Sequence, residues 1–433
     1  MNLICGKIVA EVPDDFIQEN LSRHIIETIA KEKLDVKVVV NACDKLVNSV
    51  EYSKFLQIAE NLSVPHYVVE SYYQQLKNMF SKESLEYRLE KELGKNYMRT
   101  NCFTPLGSDK VVCEKVSPLG VLFHIAAGNA DGLPAYSVIE GLLAGNINIL
   151  KLPSQADGGL TIQLLSRLIE IEPELNNYIY VFDYSSKEEQ RIMELIELSD
   201  AVVVWGSDVA TASLRKLVHP NVKLVEWGHK ISFAYATKKG LNTENMQRLA
   251  RHICETNQLL CSSCQGIYID TDDSEFIDDI ARKFHKILQK ISDQYPQELD
   301  LGIRSRLSLQ LLNEEIDSID NKQKIYKEKD TSVIVAIDSE LTSSYMHRNV
   351  WIKALPKEKF LSIIRKHKNH LQTISLLCET NEMEDLRTLA LKTGIVKVTD
   401  VSNMSKTYCG EAHDGEYSLR RYTKIVSWEG DAK

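Results

Sequence analysis

From Lys110 to Trp227, short apolar runs alternate with amphipathic stretches, and this rhythm constrains the fold more than any other feature of the chain. Residues 110–116, 120–127, 147–152, 178–184, 201–206 and 222–227 are rich in Val, Ile, Leu and aromatic residues and have the length of buried strands. Between them, 132–145, 156–170, 187–198 and 210–218 carry apolar residues three and four apart, the spacing of a helix with one buried face. The stretch 132–145 ends on Gly145, a residue suited to the left-handed turn that closes a helix. Strands joined through helices form parallel pairs, so the segment predicts a doubly wound α/β sheet. Such sheets take their ligands in the crevice outside the carboxyl ends of the strands.

The rest of the chain surrounds this unit. Residues 14–93 predict a series of helices from apolar positions at helical spacing, punctuated by Pro65 and by Gly94–Lys95. Beyond it, a helix over 243–258, a strand at 266–269, helices over 274–293 and 301–312, and strands at 331–337 and 349–355 predict a second α/β domain. The tail turns through Gly410 and Gly415 into an alternating strand at 422–428, which needs a partner edge in this chain or in a neighbouring subunit. Domain boundaries are therefore expected at 229/230 and 408/409.

Bulk properties exclude several classes. A net charge of -9 with no basic stripe argues against a nucleic-acid partner. The first residues lack a basic start followed by a long apolar run, so no signal peptide is expected. No apolar stretch approaches the ~20 residues needed to cross a bilayer. The nine cysteines are scattered and odd in number, which predicts free thiols in a reducing cytoplasm. Cys261 and Cys264 have the spacing of a redox pair or of half a metal site, but no second such pair accompanies them, so no metal is expected.

Four side chains stand where chemistry is done. Cys261 lies where the helix over 243–258 hands over to a strand, among Ser262, Ser263 and Gln265. That is a firm place to hold a nucleophile, although most cysteines are buried structural residues. Asn129 follows a strand at its carboxyl end and offers amide hydrogens to a developing oxyanion; the plain alternative is a turn residue. Lys151 closes another strand and suits ribose hydroxyls or a phosphate; the alternative is a solvated lysine. Glu226 ends a third strand as a candidate general base, with an ion-paired glutamate as the alternative. Gly206 and Ser207 open the helix after a fourth strand, where amides can face a phosphate or Ser207 can simply cap the helix. The dinucleotide fingerprint GxGxxG is absent.

The order of these motifs resembles the aldehyde dehydrogenase superfamily. GVLFHIAAGN at 120–129, AGNINILKLPS at 144–154, WGS at 205–207, EWGHK at 226–230 and NQLLCSSCQGIYI at 257–269 stand in the family's sequence of sites. Within it, HIAAGN, QLLCSS and AHDGEYSLRRYTK at 412–424 are most similar to the acyl-CoA reductase branch, the LuxC-type fatty-acid reductases. The resemblance implies a long-chain acyl-CoA reductase. Cys261 takes the acyl group from its carrier thiol, Asn129 and the Cys261 amide hold the oxyanion, and a reduced nicotinamide converts the thioester to aldehyde. It implies that 1–229 is a helical segment plus the nicotinamide-binding domain, that 230–408 is catalytic, and that 409–433 returns for oligomerisation. Cofactor contacts fall to Lys151, Ser154, Gly206, Ser207 and Gly228. Implied partners are an acyl-CoA or other acyl-thioester substrate, an acyl-protein synthetase or acyltransferase, and further copies of the chain.

Two departures bear on this expectation. The family's Glu-Phe-Gly-Pro signature, whose glutamate binds the nicotinamide ribose, is missing, and Arg348–Asn349 stands in its neighbourhood. Ser154 replaces a ribose-binding glutamate three residues past Lys151, which removes repulsion against a 2′-phosphate and favours NADPH while admitting NADH. The retained Glu226 keeps an NAD(P)-dependent aldehyde dehydrogenase as the alternative. A catalytically silent acyl-transfer subunit is the minor one.

Overall fold

The computed structural model describes residues 1–31, 33–61, 66–126, 132–152, 159–319 and 323–430. The chain divides into two compact units, one of Met1–Gly228 with Tyr408–Lys433 and one of His229–Thr407.

In the first unit, strands β1 (Asn2–Ile4) and β2 (Lys7–Val9) open the chain, and β3 (Asn101–Phe103) and β4 (Val112–Pro118) follow the helices. Then come β5 (Val121–Ile125), β6 (Ile147–Lys151), β7 (Ile179–Phe182), β8 (Ala201–Trp205) and β9 (Lys223–Trp227). The last five pair in parallel in the order β7-β6-β5-β8-β9. The chain winds one way from β5 to β7 and the other way from β8, so the switch point lies between β5 and β8, where such folds hold ligands. Phe123, Ile149, Val181 and Val203 are wholly buried, because helices such as Leu133–Leu143 and Leu160–Ile171 cover the sheet.

The hairpin β1–β2 was not expected from the sequence. It adds to β7 in antiparallel fashion through a two-residue turn, Cys5–Gly6, with φ of +46° and +70°. Turns of this hand suit a twisted hairpin. Three-residue strands are too short to show alternation, and the buried Leu3 is what anchors them.

The C-terminal strand Thr423–Glu429 pairs with β4, and β4 with β3. Its partner edge is therefore in its own chain. Cys102 and Cys113 face each other across β3 and β4 and form a disulfide. The expectation of free thiols throughout is thus corrected: among the described residues, which include all nine cysteines, seven are free. The pairing was hidden because residues 101–103 carry no strand pattern of their own.

The second unit contains β10 (Ile231–Ala236), β11 (Cys264–Ile269), β12 (Gln323–Glu328), β13 (Thr331–Ala336), β14 (Asn349–Ala354), β15 (Leu371–Leu377) and β16 (Lys397–Thr399). They run in the order β12-β13-β14-β11-β10-β15-β16, with only β12 antiparallel among these described strands. Alternate residues feed two cores. Ala234, Ile267 and Ile352 pack on one face with helices Thr243–Thr256 and Ser274–Ser292, and Phe233, Tyr268 and Trp351 on the other with Phe360. Gly266 lies directly under the Trp351 ring, where a Cβ would come within 2.0 Å of ring carbon. After residue 294 the chain also forms β12, β15, β16 and further helices, of which Leu301–Ile319 is the longest.

Candidate active site

Cys261 is exposed in a loop at the amino-terminal edge of the second unit's parallel sheet. Three elements hold it. Helix Thr243–Thr256 ends on Asn257 with φ +46°, and Gln258 follows at +61°, so the chain reverses sharply before the thiol. From β10, the Ser232 hydroxyl donates to the Cys261 carbonyl at 2.7 Å and accepts from the Thr373 amide at 3.0 Å. From β15, the Gln372 side-chain amide donates to Cys261 Sγ at 3.1 Å. A donor aimed at sulfur favours the thiolate, the form that attacks a carbonyl.

The second cysteine of the pair differs. Cys264 is wholly buried, and its thiol donates to the Gly266 carbonyl at 3.2 Å. Burial pushes its pKa up to about 12, so it is an inert thiol. One sulfur faces solvent and the other faces the core, so the two do not form half of a chelate. Among the described residues no group of acids, histidines and cysteines could hold a metal.

A buried polar network fixes the Cys261 loop. Met346, His347 and Arg348 all have positive φ, at +62°, +48° and +70°. Non-glycine residues pay strain in this region and occur there where the surroundings over-determine them. The His347 amide donates to the Asn257 carbonyl at 2.8 Å, and Arg348 Nε to Asn257 Oδ1 at 3.0 Å. Arg348 is 1% exposed and also donates to Ser292 Oγ at 2.7 Å. Asn349 Oδ1 accepts from Ser332 Oγ at 2.6 Å. Arg348 Nε and Nη1 and the Asn349 side chain are thus engaged inside the second unit, where they position the loop, while Arg348 Nη2 is buried with no hydrogen-bond partner among the described residues.

The remaining candidates lie in the first unit, along the carboxyl edge of its sheet. Lys151 ends β6 and is buried at 5% exposure, unlike a solvated lysine. Its ammonium donates to the Leu152 carbonyl at 2.9 Å. Desolvation lowers its pKa, and Asp183 and Glu188 oppose that shift. Ser207 Oγ accepts from the Ala210 amide at 3.4 Å and so caps helix Asp208–Leu217. The Gly206 amide donates to the Trp227 carbonyl at 3.3 Å, and Gly228 follows β9 near Asp208. Asn129 and Ser154 lie outside the described residues.

Glu226 is paired. Arg215 donates to its two carboxylate oxygens from Nε and Nη2, each at 2.5 Å. Its carbonyl accepts from Arg421 Nη1 at 3.1 Å. Around it, Trp205 and Trp227 stack with ring centres 5.3 Å apart, His413 contacts both rings, and Arg421 lies 4.6 Å over Trp227. The C-terminal motif 412–424 therefore docks on the strand end that carries Glu226.

His124 went unremarked in the sequence. It sits near the end of β5, wholly buried, with its pKa lowered to about 4 by desolvation. The neighbours set its tautomer. Trp205 Nε1 donates to Ser137 Oγ at 2.9 Å, which leaves the Ser137 hydroxyl to donate to His124 Nδ1 at 2.7 Å. His124 Nε2 then donates to Asn148 Oδ1 at 3.0 Å. This neutral chain clamps β5, β6 and β8 beside the switch point. Gln372 and His124 shared one signal in the sequence, a polar side chain inside an apolar strand run.

A family model described as acyl-CoA reductase (LuxC) matches residues 29–425. The chain is 26% identical over 361 residues to a long-chain acyl-protein thioester reductase of Vibrio harveyi, covering 81% of this chain and 72% of that protein. To the protein of the same description from Aliivibrio fischeri it is 24% identical over 324 residues, covering 73% and 65%. Among solved structures, a methylmalonate-semialdehyde dehydrogenase from Oceanimonas doudoroffii superposes with TM-score 0.74 at 13% identity, covering 100% of this chain and 98% of that one. A protein from Sinorhizobium meliloti 1021 solved with NAD gives 0.70 at 14% identity, covering 99% and 97%. The fold is that of the aldehyde dehydrogenases, with two α/β units.

Proposed function

This chain belongs to the acyl-CoA reductase (LuxC) family, and from that premise we propose that it reduces a long-chain acyl thioester to the aldehyde through an acyl group held on Cys261. The observation that carries the reading is the exposed Cys261 thiol with the Gln372 amide donating to it. The Cys261 thiolate attacks the acyl carbonyl, and the carrier leaves as its thiolate, which takes a proton from solvent. The bond broken is the carrier's C–S bond and the bond formed is the C–S bond to Cys261. Asn129 and the Cys261 amide stabilise the oxyanion. A reduced nicotinamide, NADPH in preference to NADH, supplies hydride when bound; aldehyde and the Cys261 thiolate result. Lys151 puts its ammonium at a buried strand end, and the start of helix Asp208–Leu217 lies at the switch point, so these residues fit such a cofactor. Ser154, Gly206, Ser207 and Gly228 complete the set. The first unit binds the nicotinamide and the second carries the nucleophile.

The paired state of Glu226 favours reduction over the aldehyde-oxidising alternative. Both carboxylate oxygens of Glu226 accept from Arg215, so its hydrogen bonds are directed at the guanidinium rather than at a water that would hydrolyse the acyl-enzyme. The acyl donor is CoA or an acylated protein, since the relatives are named for acyl-protein thioesters. A synthetase or acyltransferase that loads this thiol is the corresponding protein partner. No helix among the described residues is long and apolar enough to cross a membrane.

Mixing the protein with hexadecanoyl-CoA, without nicotinamide, should add one acyl group to the intact mass. The adduct should disappear in Cys261→Ala and persist in Cys264→Ala, and NADPH should discharge it as aldehyde. Turnover of aldehyde with NAD, with no adduct and no reduction of thioester, would overturn the reading.

A further inference from the structure

A cavity of about 180 Å³ opens in the first unit beside the carboxyl half of β4. The turn before helix Val36–Ser49, the end of helix Lys82–Leu93 and the end of helix Leu133–Leu143 complete its walls. Val36, Leu93 and Leu143 give it an apolar floor, and all three pack against the core of that unit. Every lining residue belongs to the first unit, and none is a residue of the Cys261 loop.

Hydrogen-bond donors converge on this space. Side chains of a strand alternate between its faces. Cys113 and Ser117 are buried on one face of β4, and Lys115 stands between them on that same face. Lys115 is half-buried, and among the described residues it makes no hydrogen bond or ion pair. The Lys33 ammonium donates to Ser117 Oγ at 3.5 Å, at the long limit of a hydrogen bond. Tyr97 adds a phenol. Burial first, and then Glu86, Asp35 and Glu90, push its pKa up to about 12, so the hydroxyl keeps its proton and can donate. The carboxylate among the lining residues, Asp35, turns Oδ1 to the Lys37 amide at 2.9 Å as the cap of helix Val36–Ser49.

An ammonium that faces inward over apolar side chains without a counter-charge bears a desolvation cost, which a bound anion relieves. We propose that this cavity binds a small carboxylic acid as its anion, the head group at Lys33 and Lys115 and an apolar body on Leu93 and Leu143. The volume sets the length of that body. An apolar cavity of about 150 Å³ holds a six-carbon ring, so this one takes a chain of about six carbons. Asp35 at the rim opposes a second negative charge, which favours a monoanion over a dianion. The Tyr97 hydroxyl supplies a neutral donor to the same head group. Few polar groups above an apolar floor is the usual design of a small-molecule site.

Isothermal titration calorimetry of hexanoate into the full chain tests the proposal. The wild-type chain should bind one equivalent with a Kd of about 1 mM or tighter. Hexanol keeps the body without the charge, and hexylamine reverses the charge; each should bind at least about tenfold more weakly. Lys115→Met keeps the apolar stem and loses the ammonium, so it should weaken hexanoate about tenfold and leave hexanol unchanged. Val36→Phe fills the floor and should abolish binding of both. Thermal melting shows that each variant is folded, and Lys115→Met, at a half-buried position, carries the test if Val36→Phe unfolds. Absence of hexanoate binding, equal binding of hexanol, or a Kd unmoved by Lys115→Met would overturn the assignment.

Discussion

Replacing Gln372 tests what its amide does to the Cys261 sulfur. Its amide donates to Cys261 Sγ at 3.1 Å from β15. A hydrogen bond to a charged group is worth about 1.5–3 kcal/mol, and the exposure of the thiol puts this one at the lower end. One pH unit corresponds to about 1.4 kcal/mol. Gln372→Leu removes a donor that favours the thiolate, so the midpoint of the pH profile of Cys261 alkylation should rise by about one unit. At a fixed pH below the midpoint the rate should fall about tenfold. Gln372→Glu sets a carboxylate against the thiolate and should move the profile further in the same direction. The assay is the rate of iodoacetamide labelling of Cys261 from pH 5 to 10, read by mass, alongside thermal melting. A merely structural glutamine would lower the melting temperature and leave the profile in place. Unmoved profiles in both variants would refute the reasoning.

Three further outcomes follow from the same geometry. Gly266→Ala drives a methyl group into the Trp351 ring and should destabilise the second unit by about 1–3 kcal/mol, read from denaturant unfolding. On the proposed reading, Arg215→Gln frees the Glu226 carboxylate to act on water, so free fatty acid should leave the acylated protein about tenfold faster in the absence of nicotinamide, measured as decay of the mass adduct. His124 and His252 are buried and neutral, each with its pKa lowered to about 4 from about 6.5 unfolded. The unfolded chain therefore binds more protons below that value. Their contribution is fully present above pH ~6.5 and is lost as pH falls toward ~4, at up to about 2.7 kcal/mol per unit for the two. His124→Gln should flatten the fall of melting temperature between pH 7 and 5.

Much of the fold was legible because burial repeats with a local period. The runs 120–127, 147–152 and 201–206 became β5, β6 and β8, and the helix over 274–293 became Ser274–Ser292. The hairpin β1–β2 and the strand β3 escaped because three residues carry too little pattern, and the disulfide escaped with β3. At the candidate site, the position of Cys261 between helix and strand could be read, but Gln372 could not. It lies 111 residues further on, and only the pairing of β15 with β10 brings it to the sulfur.

The amino-acid order by itself determined the alternation of strands and helices, hence the class of sheet and the edge where ligands gather. It also determined the succession of motifs that places the chain in its family. Only the tertiary structure decided that Cys261 faces solvent while Cys264 faces the core, that Glu226 is bound to Arg215, and that Arg348 holds the Cys261 loop. The reason is that periodicity reports whether a residue is buried, a property of its own turn or strand. The partner it meets depends on distances closed by packing among residues far apart in the chain.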